Sequence, residues 1–261
     1  MLSFVLYCLM SIVSEQSTTW FNTSAGQYLL EKEQALFDKA VFDLFGFNAL
    51  QIGYQHADFL RNSRIPNHFL ASQEHSTTLP HHLCCQDDFL PFAEMSLDLL
   101  LLPHCLEFSE RPHQTLREAA RVIVHEGHLL ISGFNPVSSW GAAARVKRFR
   151  AKSSLYPWSG KFIGLTRLKD WLSLLGFEVI SVEMTCLTPP FEQASWQQRF
   201  ACMDKVGARF SRVLGGVYFI VAKKRVVGLT PIKPNWRTSS LKVGLAVRQP
   251  KSHTTQSEQI E

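Results

Sequence analysis

The chain has 261 residues, 46% of them hydrophobic, enough for one sizeable core with room for arms and a tail. Charged residues make up 19%, below the roughly 25% of an average domain, which excludes a chain disordered throughout. The formal charge of +5 gathers in two places: Arg145, Lys147, Arg148, Arg150 and Lys152 in mid-chain, and the stretch after residue 222, where only Glu258 and Glu261 are acidic. Such runs suit an anionic partner or, more plainly, a solvated helix face and a basic tail.

Residues 1–14 are apolar, but too few to span a bilayer, and they lack the positive start of a secretory signal. Residues 17–25 read as an exposed lead-in. Helical spacing over 27–44 places Tyr28, Leu29, Leu36, Phe37, Val41 and Leu44 on one side. Glu31, Lys32, Glu33 and Asp38 are assigned to the polar side. A first strand is expected at 49–53, a short helix at 58–62 and a second strand at 67–71. Residues 76–82 read as a loop, and 83–86 as the lead into a turn at Leu90, Pro91 and Phe92.

The run 97–102 is nearly all apolar, as in a strand covered by helices on both faces. Pro112 suits the first position of a helix, with Leu116, Ala119, Ala120 and Ile123 as its apolar stripe. Gly127 is expected to form a sharp turn into a further strand at 129–133. A basic helix follows at 137–150, then an amphipathic helix at 165–175 stopped by Gly176. Strands at Phe177–Thr185 and 217–222 close the pattern, with a long insert between them. Cys8, Cys84, Cys85, Cys105, Cys186 and Cys202 include no CxxC pair. That spacing argues against zinc and for buried thiols in a reducing compartment, so a cytoplasmic location is expected.

Three stretches, LPFAEMSLDLLLL, PHQTLREAARVI and EGHLLISGFNP, resemble the class I methyltransferases that use S-adenosylmethionine, in particular the type 11 family. The resemblance spans residues 49–224. Further wording, ISGFNPVSSWG and RLKDWLSLLGFEV, is similar to a bacterial subgroup with a shortened glycine loop. The resemblance implies an α/β, Rossmann-like sheet, mostly parallel, with a C-terminal antiparallel hairpin and helices on both faces. It implies an N-terminal extension at 1–25, a methyltransferase-like domain at 26–227 and a flexible basic tail at 228–261. The implied cofactor is S-adenosylmethionine, and small-molecule acceptors lead.

In open α/β sheets, ligands sit beyond the carboxyl ends of the strands. The resemblance therefore points to four such ends. Gly53 and Tyr54 stand where the family carries a glycine-rich loop, with one glycine remaining. Gln73, or Glu74 beside it, stands where the family has an acid for the ribose hydroxyls. Gln86, Asp87 and Phe89 stand near the adenine position. Pro103 and His104 end the buried strand, and His104 titrates near neutrality, which makes it the candidate general base. Glu107 is a second such candidate. Asn135 and Trp140 are placed at the substrate mouth, with a core role for Trp140 as the other reading. A different class of function is also open: a non-catalytic protein on this fold, binding RNA, an acidic carrier protein or another partner through its basic segments.

Overall fold

The computed structural model describes residues 19–54, 57–72, 82–149, 156–189 and 215–225. In chain order the elements are α1 (Ser24–Phe42), β1 (Asn48–Ile52), β2 (Asn67–Ser72), β3 (His82–Cys84), β4 (Leu97–Pro103) and the short α2 (Cys105–Phe108). Then come α3 (Pro112–Val122), β5 (Ile123–Phe134), α4 (Ser139–Phe149), α5 (Leu165–Leu174), β6 (Phe177–Thr185) and β7 (Val217–Lys224).

Seven strands form one sheet in the order β3-β2-β1-β4-β5-β7-β6. β1 to β5 pair in parallel, and β7 runs antiparallel to both β5 and β6. The expected neighbours meet in parallel register, with Leu100 opposite Leu129 and Leu102 opposite Ile131. This is the mostly parallel sheet with a terminal antiparallel hairpin that the resemblance implies.

Side chains alternate across the sheet, as strand pleating requires. Leu50, Leu100, Leu102, Leu129 and Ile131 pack with Leu116 and Ala119 of α3 and with Leu168 and Leu172 of α5. Ala49, Leu99, Leu101 and Leu130 pack with Phe37 and Val41 of α1. A third cluster, Phe21, Leu29, Phe134, Trp140, Tyr156, Trp158 and Val217, gathers where β5 ends and β7 begins. Its rings meet edge-on or stacked, including Phe134 on Trp140 at 5.5 Å and Phe108 on Tyr156 at 4.8 Å.

Several local expectations are corrected. Residues 58–62 form turns instead of a helix. The Asp58 carboxylate accepts from the Leu60 amide at 2.9 Å, a local bond that competes with helix formation. Residues 82–84, expected as the end of a loop and the start of the lead-in, form a strand pairing with β2. α3 passes into β5 at Ile123 without a glycine turn, through a register shift between Leu97 and Leu99. Glu126, at φ +64°, takes the left-handed position. Gly127 is needed for close approach instead: a Cβ there would lie 2.7 Å from Ile123 Cγ2 and 3.1 Å from the Asp98 carbonyl oxygen.

Glu33 is the most consequential correction. It belongs to the buried stripe of α1, with Leu29, Phe37 and Val41. The spacing of four residues already placed it there. Cys84 is exposed, against the expectation of buried thiols, while Cys186 is buried. No helix among the described residues is long and apolar enough to cross a membrane.

Candidate functional site

Strand order reverses between β1 and β4, so the crevice beyond their carboxyl ends is where a ligand of this sheet lies. β1 ends in Gly53 at φ +79° and Tyr54 at φ +51°. The Gly53 amide donates to the Ala71 carbonyl at 2.9 Å, which fixes the turn at the sheet edge. Among the described residues, a Cβ on Gly53 would meet the Pro103 carbonyl oxygen at 3.8 Å and Cys105 Cβ at 3.9 Å, both ordinary contacts. The missing side chain therefore leaves a cradle walled by the end of β4.

Tyr54 packs its ring against Phe21, which precedes α1, at 4.3 Å and against Phe59 at 5.4 Å between ring centres. Burial pushes its hydroxyl well above its ordinary pKa. Gln51, one step before Ile52, holds this loop. Its amide nitrogen donates to the carbonyls of Tyr54, at 3.2 Å, and Ala57, at 2.8 Å, and its oxygen accepts from the Phe59 amide at 2.9 Å. One side chain thus organises a loop that carries a single glycine. The sequence signal was a polar residue inside a buried strand, and it was missed. Gln51→Leu is expected to cost about 2 kcal/mol, because a buried amide and two carbonyls lose partners. Chemical denaturation checks it, and an unchanged midpoint would remove Gln51 from this role.

At the end of β2, Ser72 is buried. Gln73 and Glu74 lie outside the described residues. The turn that follows β3 leaves Gln86 exposed and Phe89 73% exposed. Asp87 is buried, and one of its oxygens accepts from the Thr115 hydroxyl at 2.9 Å. Arg121 fastens the neighbouring turn to α3 by donating to the Leu90 and Phe92 carbonyls, at 3.3 and 2.9 Å. Glu118 accepts from the Leu90 amide at 3.0 Å, and its carboxyl is held below its usual range chiefly by Arg121.

The end of β4 brings together groups that the sequence kept apart. His104 has a left-handed backbone at φ +49° and is 2% exposed. Its Nδ1 lies 2.9 Å from Glu107 of α2, and its Nε2 lies 2.8 Å from Glu33 of α1. The Glu33 contact has the distance of an ion pair without the alignment of a hydrogen bond. Glu107 spends its other oxygen on the Phe134 amide, and the His104 ring lies over the Phe134 ring at 4.2 Å. Burial alone would lower the pKa of His104, but the two carboxylates outweigh it and raise it to about 10. Burial raises the Glu107 carboxyl, against the lowering by His104 and the Phe134 amide. With a carboxylate 2.8–2.9 Å from each ring nitrogen, the surroundings favour the protonated imidazolium over the free base that proton removal needs.

Asn135 and Trp140 are both buried. Asn135 donates to the Gly215 carbonyl and accepts from the Val137 amide, each at 3.0 Å. The Trp140 indole donates to the Thr188 carbonyl at 2.9 Å. Both lie in the buried packing beyond the end of β5. Of the mid-chain cations, Arg145 bonds the Pro136 carbonyl at 3.0 Å and Lys147 lies 4.5 Å over the Trp158 ring. Lys223 and Arg225 pair with Glu126, and Arg225 also with Glu178. The segments 150–152 and 226–261 lie outside the described residues.

A family model described as a methyltransferase domain matches residues 64–131, beginning after the loop at Gly53. The chain is 34% identical over 187 residues to YafS, an uncharacterized protein of Escherichia coli (strain K12), covering 72% of each chain. Among solved structures it is similar to one from Thermotoga maritima, described as an S-adenosylmethionine-dependent methyltransferase and possible histamine N-methyltransferase. The TM-score is 0.62 at 17% identity, over 83% of this chain and 98% of that one. A methyltransferase of the same cofactor class from Archaeoglobus fulgidus matches with a TM-score of 0.52 at 16% identity, over 74% and 94% of the two chains. At those identities the likeness is one of fold.

Proposed function

The chain belongs to the type 11 family of class I methyltransferases, whose cofactor is S-adenosylmethionine, and from that premise we propose that it methylates a small-molecule acceptor. The observation that carries this reading is the cradle at Gly53, bounded by the Pro103 carbonyl and Cys105. A side chain would fill it, and its place at the switch point suits the methionyl end of the cofactor. The donor set fits a cation: the groups nearest the end of β4 are two carboxylates and one imidazolium.

Gly53, Tyr54 and Pro103 would hold the methionyl end. Asp87, with Gln86 and Phe89 on the same turn, would hold the adenine end, and Gln73 would reach the ribose. Bound there, S-adenosylmethionine supplies an electrophilic methyl group on a sulfonium. The protein's own contribution is orientation and exclusion of water, which suffices for much of an in-line transfer. The buried rings of Phe134, Trp140 and Tyr156 would back the acceptor side of the site. His104, already protonated, acts by positioning in this reading and leaves proton removal to the acceptor or solvent. The free thiols of Cys84, Cys85, Cys105 and Cys186 fit a reducing compartment, and we place the enzyme in the cytoplasm.

Titration calorimetry on protein stripped of copurified ligand tests the proposal. Micromolar binding of S-adenosylmethionine and S-adenosylhomocysteine is the expected result. No binding at millimolar ligand, by protein shown to be folded, would overturn it in favour of a non-catalytic role. The described cations already engaged within the chain, Arg145, Lys147, Lys223 and Arg225, give that alternative little support.

A further inference from the structure

The cluster of Glu33, His104 and Glu107 carries a charge that packing does not require. Two carboxyl groups face one imidazole in a region where all three residues are at most 2% exposed, and with both carboxyls ionised against an imidazolium the cluster carries one net negative charge. The charges acting on His104 and Glu107 come from each other and from Glu33. Glu33 Oε2 is buried and has no donor among the described residues. An uncompensated buried carboxylate oxygen is costly, and a ligand cation is the compensation this arrangement lacks.

The cluster also lies at the ligand crevice. Pro103 and Cys105 supply the atoms nearest a Cβ at Gly53, and His104 stands between them in the chain. Glu33 reaches His104 from α1. A ligand at the switch point of this sheet therefore borders a net negative charge held on three elements.

We propose that Glu33, together with His104 and Glu107, makes the cofactor site sense charge, favouring the cationic sulfonium of S-adenosylmethionine over the neutral thioether of S-adenosylhomocysteine. The inference rests on the cofactor reading above. The two ligands share their adenosine and amino-acid parts and differ by one methyl group and one positive charge. The change in their affinity ratio between wild type and a variant without the Glu33 charge therefore isolates the electrostatic contribution. Charge sensing of this kind keeps the product from occupying the site as tightly as the cofactor, which favours release after each transfer.

The test is titration of both ligands into full-length wild-type protein and Glu33→Gln. The substitution takes the cluster from one net negative charge to none. S-adenosylmethionine is expected to weaken about tenfold, and S-adenosylhomocysteine by less than about twofold, for one charge acting through a partly screened interior. Equal weakening of both ligands would assign Glu33 a structural role only and overturn the inference, as would no change in either. Should Glu33→Gln fail to fold, Glu107→Gln asks the same question, because its amide oxygen still accepts from the Phe134 amide. If wild-type protein binds neither ligand, the cofactor reading itself fails, an outcome distinct from an unchanged ratio.

Discussion

Replacing His104 with leucine is expected to destabilise the protein by about 3–5 kcal/mol, because two buried carboxylates lose the cation between them. For a domain of this size that is a fall of about 10 °C in melting temperature. Glu33 and Glu107 approach His104 from two different helices, so the loss also loosens the seating of α1. Adding Glu33→Leu should restore part of the stability by removing one stranded charge. A melting temperature for His104→Leu within about 2 °C of wild type would show that the carboxylates are relieved some other way.

The same residue sets a pH dependence. The folded pKa of His104, about 10, lies above the roughly 6.5 of a free imidazole. Its contribution is therefore complete below about pH 6.5 and is lost as pH rises through about 10. The neighbouring hydroxyls of Tyr54, Tyr156 and Tyr218 are all pushed up by burial and stay neutral across that window. The difference in unfolding free energy between wild type and His104→Leu should shrink across that window. A constant difference would mean that His104 is not charged in the folded state.

The second large effect is expected at Gly53. Tryptophan there should weaken S-adenosylhomocysteine binding by at least about a hundredfold, since its ring must occupy the cradle before Pro103 and Cys105. Any L residue at φ +79° is also strained, by about 1–2 kcal/mol. Gly53→Ala separates the two causes, having the strain without the bulk. A folded Gly53→Trp protein with unchanged affinity would remove this loop from the pocket.

Most of the fold could be read from local pattern. The apolar run at 97–102 required burial on both faces, and α3 and α5 showed their apolar stripes. Phe177–Thr185 was expected with the bounds it has. These elements are legible because periodicity and burial are fixed by neighbours in the chain. Glu33 and Gln51 could have been noticed as polar residues in apolar positions, yet their partners could not. His104 lies 71 positions from Glu33 by their numbers, and only the seating of α1 against the end of β4 brings them together.

That contact changes the chemistry of the histidine. Its sequence gave an imidazole that titrates near neutrality and a place at the end of a buried strand. Two carboxyl groups in a buried region favour its cationic form, because their attraction there outweighs the cost of its burial. Gly127 makes the same point sterically, since it was legible as a glycine the chain needs, while the reason, the closeness of Ile123 and Asp98, exists only in the folded sheet. The sequence by itself determined the central strands, the main helices and the family they belong to. The tertiary structure alone decided which charges face each other, because the energy of a buried charge depends on partners that local pattern does not specify.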